Sequence, residues 1–198
     1  MLRPFIAVSF VWLLLAGPAL PQAAAPTPPP PASAAPSSPA PLKPGDPFGE
    51  PVELPERSIV FLNGQGTWDS AFDTLVDAFK SLNQYLDRQG MKPNGRAMTI
   101  YTETSDAGFK FRAALPIDKP PKNPPKGDIG VGNAPSGKAL KFVHRGSFDS
   151  LDTTYEAITN HLDEKRLEIK EMFIEEYEGD PAKLAENDLV VTVFVPLK

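Results

Sequence analysis

A chain of 198 residues with 25 acidic and 20 basic side chains, a net charge of −5 and 41% apolar content can fold as one domain or two small ones. It has no cysteine and two histidines, which leaves no disulfide framework and no credible ligand cluster, so neither a metal nor a cofactor is expected. The acidic balance, without a basic stripe on any element, argues against nucleic acid as a partner.

The first element reads as a secretion signal. Met1-Leu2-Arg3 carries a positive charge, Phe5 to Leu15 is apolar apart from Ser9, and Gly17-Pro18 followed by small residues ends the run. This layout predicts a signal peptide over residues 1–24, cut among Ala23, Ala24 and Ala25. A transmembrane anchor is the alternative, but the run falls short of the roughly 20 residues that a bilayer requires. The expected location is therefore the periplasm, with no stable membrane insertion after cleavage. Residues 25–52, rich in Pro, Ala and Ser, predict an extended, disordered linker.

From residue 53 onward the chain reads as one module used twice. Ser58-Ile59-Val60-Phe61-Leu62 predicts a strand, and Gly66-Thr67-Trp68-Asp69-Ser70 a helix start: a hydroxyl to accept from free amides, then an acid in the first turn. Trp68, Ala71, Phe72, Leu75, Phe79, Leu82 and Leu86 step by three and four along one helix face. Gly90 ends that helix, and strands follow at Ala97–Tyr101 and Phe109–Ile117. The proline-rich stretch 118–136 predicts a surface loop.

The pattern then returns. Ala139–Val143 is a strand, Gly146-Ser147-Phe148-Asp149-Ser150 opens a helix whose apolar stripe is Phe148, Leu151, Tyr155, Ile158 and Leu162, and Lys165-Arg166 close it. Strands are expected at Phe173–Tyr177 and Leu189–Leu197. Gly66 and Gly146, and the triplets Leu115-Pro116-Ile117 and Val195-Pro196-Leu197, are separated by the same interval, so the repeat holds register over its length. Neither module can bury its apolar face alone. The expected fold is α+β: two βαββ modules, residues 57–117 and 137–198, related by a pseudo-twofold and sharing one curved antiparallel sheet with both helices on one face.

Period-two alternation puts Phe173, Glu175 and Tyr177 on one strand face, an acid between two aromatics. Tyr101 is the repeat mate of Tyr177. Trp68 and Phe148 read mainly as clamps of their helix starts, with cleft lining as a second role. His144, at a strand end, reads as a structural partner of a carboxylate or backbone group, and His161 as a surface residue.

The residues His144-Arg145-Gly146-Ser147-Phe148, Glu175-Glu176-Tyr177-Glu178-Gly179-Asp180-Pro181 and Val195-Pro196-Leu197 resemble the GyrI-like small-molecule-binding domain, the effector-binding domain of bacterial transcription activators, here alone and exported. The likeness covers residues 53–198. It implies a ligand cleft between the modules, a small organic molecule as partner, and Glu175, Tyr177, Tyr101, Arg112, Phe173, Trp68 and Phe148 as ligand-binding residues. Arg112 stands where many members place a glutamate. With Glu175 on the opposite wall, it predicts preference for a ligand of both charge signs or a polar neutral one over a simple lipophilic cation. Catalysis of the family's hydrolytic branch, with Glu175 as base and Tyr177 or Tyr101 as orienting hydroxyl, is the alternative function; an envelope-interaction role is a third. A related fold, the SOUL-type domain, binds haem, but no residue here is singled out as an axial ligand.

Overall fold

The structure is a computed structural model that describes residues 45–198. The expected signal segment 1–24 and the expected linker up to residue 44 lie outside the described residues. The first module consists of β2 (Ser58–Gly66), α1 (Ala71–Gln89), β3 (Met98–Ser105) and β4 (Gly108–Pro116), preceded by β1 (Phe48–Leu54). The second consists of β6 (Gly137–Gly146), α2 (Leu151–Lys165), β7 (Phe173–Tyr177) and β8 (Leu189–Pro196), preceded by β5 (Ile129–Asn133).

The eight strands form one antiparallel sheet in the order β1-β6-β8-β7-β3-β4-β2-β5. The repeat is visible in its register. Ile59 faces Pro116 in β2–β4, and Ala139 faces Pro196 in β6–β8; each residue of the second pair lies 80 positions after its mate. The interval falls to 76 after the helices, because α2 has 15 residues and α1 has 19, four fewer, about one turn. Tyr101 and Tyr177 are therefore mates. At the seam, β3 pairs with β7 with Thr99 opposite Glu175, and that pair is its own mate under the same shift. Glu175 thus lies on the pseudo-twofold, at the middle of the sheet.

Two strands were not expected. β1 begins at Phe48, inside the stretch read as linker to residue 52, and β5 lies inside the stretch 118–136 read as a loop. The alternation in each is short, Val52 and Leu54 in β1 and Ile129 and Val131 in β5, and lies among prolines and glycines; each is an edge strand whose partner supplies the pairing, β1 on β6 and β5 on β2. Each module's leading strand thus caps the other module's edge. This crossing also curls the sheet. β1 and β2 are six strand intervals apart, about 29 Å across a flat sheet, yet only four residue steps join Leu54 to Ser58, a reach of roughly 14 Å. The same holds from Asn133 to Gly137. The sheet must bend to bring its two edges together at that end.

One core lies between the sheet and the helices, from Leu75, Phe79, Leu82 and Leu86 of α1 and Ile158 and Leu162 of α2 onto Val60, Phe142 and Val193. A second core, with Ile59, Met98, Ile100, Ala114 and Ile174, fills the opposite face where the curl closes.

The helix starts differ from expectation in one respect: each begins with a 3-10 turn, Trp68–Ser70 and Phe148–Ser150. Ser147 Oγ accepts from the Ser150 amide at 3.2 Å, whereas Thr67 makes no such cap and its Oγ1 lies 3.2 Å from Ser70 Oγ. Both helices end in the left-handed conformation, at Gly90 (φ 64°) and, unusually for a side-chain-bearing residue, at Arg166 (φ 53°). His161 is not a surface group. Its ring packs edge-on between Phe48 and Phe142, because β1 covers that flank of α2.

Gly108, at the β3–β4 turn, has φ +152°, and a Cβ there would stand 2.2 Å from the Gly66 carbonyl oxygen. That oxygen belongs to backbone held in the β2–β4 pairing and cannot step aside. Gly108→Ala is expected to destabilise the domain by about 1–3 kcal/mol. The measurement is the urea midpoint, which should fall at unchanged m.

Candidate functional site

A cleft of about 570 Å³ opens on the helical face beside the pseudo-twofold. Its floor is Glu175 and Phe173 of β7 with Tyr101 and Thr104 of β3. One side is α2 and its leading turn, through Phe148, Asp149, Leu151, Asp152 and Tyr155. Trp68 closes the other side.

Glu175 is 1% exposed, and three phenols donate into its carboxylate. Tyr155 donates to Oε1 at 2.7 Å; Tyr177 and Tyr101 donate to Oε2 at 2.6 and 3.2 Å. Tyr177 has a single hydroxyl hydrogen, so Thr99, with its Oγ1 3.0 Å away, must be the donor to the Tyr177 oxygen. The two symmetry-mate tyrosines thus grip one carboxylate whose own mate, Thr99, carries no charge. Burial pushes the Glu175 carboxyl above its ordinary value near 4.5, and the three hydrogen bonds pull the other way. Burial and the neighbouring carboxylate raise Tyr101, Tyr155 and Tyr177 well above the usual phenol range, so all three stay protonated as donors. A carboxylate offers about four acceptor sites. Three are occupied by the phenols, and the carboxylate lines the cleft floor with its charge undiminished by any basic partner among the described residues.

Aromatic rings complete the walls. Trp68, 46% exposed, stacks on Phe109 at 4.8 Å between centroids and is fixed by its indole N–H, which donates to the Ser105 carbonyl at 2.8 Å. It therefore does clamp the helix start to the sheet, while its remaining surface faces the cleft. Phe148, its mate, packs on Phe72 at 5.5 Å, and Tyr155 meets Phe173 edge-on at 5.3 Å. No Lys, Arg or His lines the cleft among the described residues.

Five of the seven residues proposed from sequence, Glu175, Tyr101, Phe173, Trp68 and Phe148, meet at this cleft. Tyr177 stands behind the carboxylate, its ring against Phe79. Arg112 is elsewhere. Phe109, Phe111 and Ala113 face the helices, so alternation turns Arg112 to the opposite face, where it is exposed, donates to Asn63 at 3.2 Å and lies over the Phe61 ring. The expectation of a ligand with both charge signs rested on Arg112 and falls with it.

Tyr155, Thr104, Leu151, Asp149 and Asp152 were not among the expected site residues. Tyr155 lay in plain view on the apolar stripe of α2; a hydroxyl on a buried stripe needs a partner, which was the available signal. Thr104 could not be found by alternation, because β3 carries a bulge between Tyr101 and Glu103. Without it, Glu103 would share the face of Tyr101. With it, Glu103 pairs with Lys110 at 2.7 Å outside the cleft, and Thr104 takes the inner place.

His144 behaves as a structural group. Its Nε2 lies 3.1 Å from the Ser147 carbonyl and its Nδ1 2.8 Å from Thr154 Oγ1, so Nε2–H donates, Nδ1 accepts, and burial favours this neutral form. It braces the start of α2, and with it the Phe148 wall. Among the described residues, no group of acids and histidines could hold a metal ion.

A twofold α+β sheet with a buried acid at its centre and an aromatic cleft above it defines a ligand-binding domain. Residues 50–198 match the GyrI-like small molecule binding domain, and the chain belongs to that family. In fold it is similar to the EcmrR C-terminal domain (17% identity, TM-score 0.64, 75% of this chain and 96% of that one). It is also similar to EcmrR in a DNA complex (17%, TM-score 0.63), covering 75% of this chain and 56% of that longer one. A third likeness is to SAV2435 bound to tetraphenylphosphonium (15%, TM-score 0.51, 75% and 93%). Among curated proteins, none matches.

Proposed function

We propose that this protein is an exported, periplasmic binding protein that captures a lipophilic organic cation in the cleft over Glu175. The observation that carries the reading is the buried carboxylate, held by three phenols at the base of an aromatic cleft whose lining has no basic side chain. Such a site compensates a cation by charge and by ring faces together. The tetraphenylphosphonium seen in SAV2435 is a ligand of this chemistry, although that likeness is one of fold. Export rests on the apolar run Phe5 to Leu15. Hydrolysis with Glu175 as base is less well served, because three phenols already donate into the carboxylate and would have to yield before it could take a proton from a substrate.

The test uses two ions of one shape and opposite charge. Calorimetry of the wild-type protein should find binding of tetraphenylphosphonium and none of tetraphenylborate. Equal binding of the two, or preference for the borate, would show that shape or a hidden base governs the cleft and would end the cation reading.

A further inference from the structure

The charges around the cleft are one-sided. All three lining carboxylates, Glu175, Asp149 and Asp152, come from the second module, while the first contributes only Trp68, Tyr101 and Thr104. The asymmetry is a property of this sequence and not of the fold, since the mates of Glu175 and Asp152 are Thr99 and Phe72, and Asp69, the mate of Asp149, does not line the cleft. A helix start favours an acid in either module through its dipole. That preference accounts for Asp69 and Asp149 alike, but not for why only the second module's acids face the site.

The carboxylates also lie at two depths. Glu175 is buried at the floor, whereas Asp149 and Asp152 are exposed at the mouth, and among the described residues neither of the two is engaged by a basic side chain. A single positive charge seated at Glu175 leaves the mouth acids uncompensated. A ligand with a second cationic group on an arm directed along α2 would meet both.

We infer that the cleft selects dications: an aromatic or lipophilic cation seated on Glu175, carrying a second positive group that reaches Asp149 and Asp152. This rests on the cation reading above and adds the identity of the second contact. The mouth acids are solvated, so their effect is modest and sensitive to salt, about three- to tenfold in affinity.

Ethidium and propidium share one phenanthridinium ring and differ by a second quaternary ammonium on a short arm, which makes them a matched pair. Their dissociation constants would be measured on the full chain, on the Asp149→Asn/Asp152→Asn double variant and on Glu175→Gln, with the ratio of the two probes as the readout. The expected result is propidium bound about three- to tenfold tighter by wild type, with the ratio collapsing toward one in the double variant and at high salt. A ratio of one in wild type, a ratio that survives in the double variant, or no binding of either probe overturns the inference. If ethidium binds and loses affinity in Glu175→Gln while propidium gains nothing over it, only the second contact is wrong and the cation reading stands. If Glu175→Gln leaves ethidium binding unchanged, the cation reading fails first.

Discussion

Glu175→Gln is expected to lower the affinity for tetraphenylphosphonium by about 30-fold or more, because neutralising one partner of a desolvated charge pair costs roughly 2–5 kcal/mol. The substitution keeps the shape of the side chain and one carbonyl acceptor for the phenols, so the cleft itself should persist. Proton linkage sharpens the test. The folded state holds the Glu175 proton to higher pH than the unfolded chain does, because burial raises its pKa above the ordinary value near 4.5. Stability of the ligand-free protein should therefore fall as pH rises from about 4.5 through the raised value, and stay lower above it. Affinity for a cation should move the other way and rise through the same window as the carboxylate ionises. Glu175→Gln should flatten both profiles and leave the free protein at least as stable as wild type at neutral pH. Thermal melts with and without tetraphenylphosphonium across pH 4 to 8 would show it. Parallel movement of stability and affinity with pH would mean that Glu175 is ionised at no cost and that its burial has been misjudged.

Arg57→Ala is expected to cost about 3 kcal/mol of stability, the low end of the range for breaking a buried ion pair. Arg57 belongs to the three residues that join β1 to β2, where the curl closes, and its guanidinium pairs with Glu176 on the face of β7 opposite Glu175. The Glu176 side chain is only 10% exposed, so removing Arg57 strands a carboxylate beside the second core. The value sits at the low end because Arg57 is 28% exposed and water can reach the gap. In a domain of this size that loss lowers Tm by roughly 6–12 °C. Arg57→Ala/Glu176→Gln should recover most of it, since the double variant leaves no charge unpaired. Urea denaturation of the three proteins decides the matter. If the single variant loses less than about 1 kcal/mol, the pair behaves as a surface contact, and the two edges are held by backbone pairing and apolar packing alone.

These two acids are adjacent in sequence and opposite in role, which marks where sequence reading reached its limit. The repeat was legible because it is local and periodic: the helix starts at Thr67 and Ser147, the left-handed end at Gly90, and the alternation that put Glu175 with Phe173 were all written in spacing. The likeness of the strands that follow the two helices, Ala97–Tyr101 and Phe173–Tyr177, also showed that Tyr101 and Tyr177 are mates. Tertiary structure decided what those spacings could not carry. The edge strands β1 and β5 exist only because the other module supplies their hydrogen bonds. The bulge before Glu103 exchanged an acid for Thr104 at the cleft. Arg112 fell on the far face because the alternation of β4 is anchored by Phe109 and Phe111 against the helices, and a family position read one residue out of phase reverses its side of the sheet. The convergence of three phenols on one carboxylate likewise joins residues from β3, α2 and β7, far apart in the chain. A sequence states which faces are apolar, but only the packed sheet brings the polar atoms of three elements to one point.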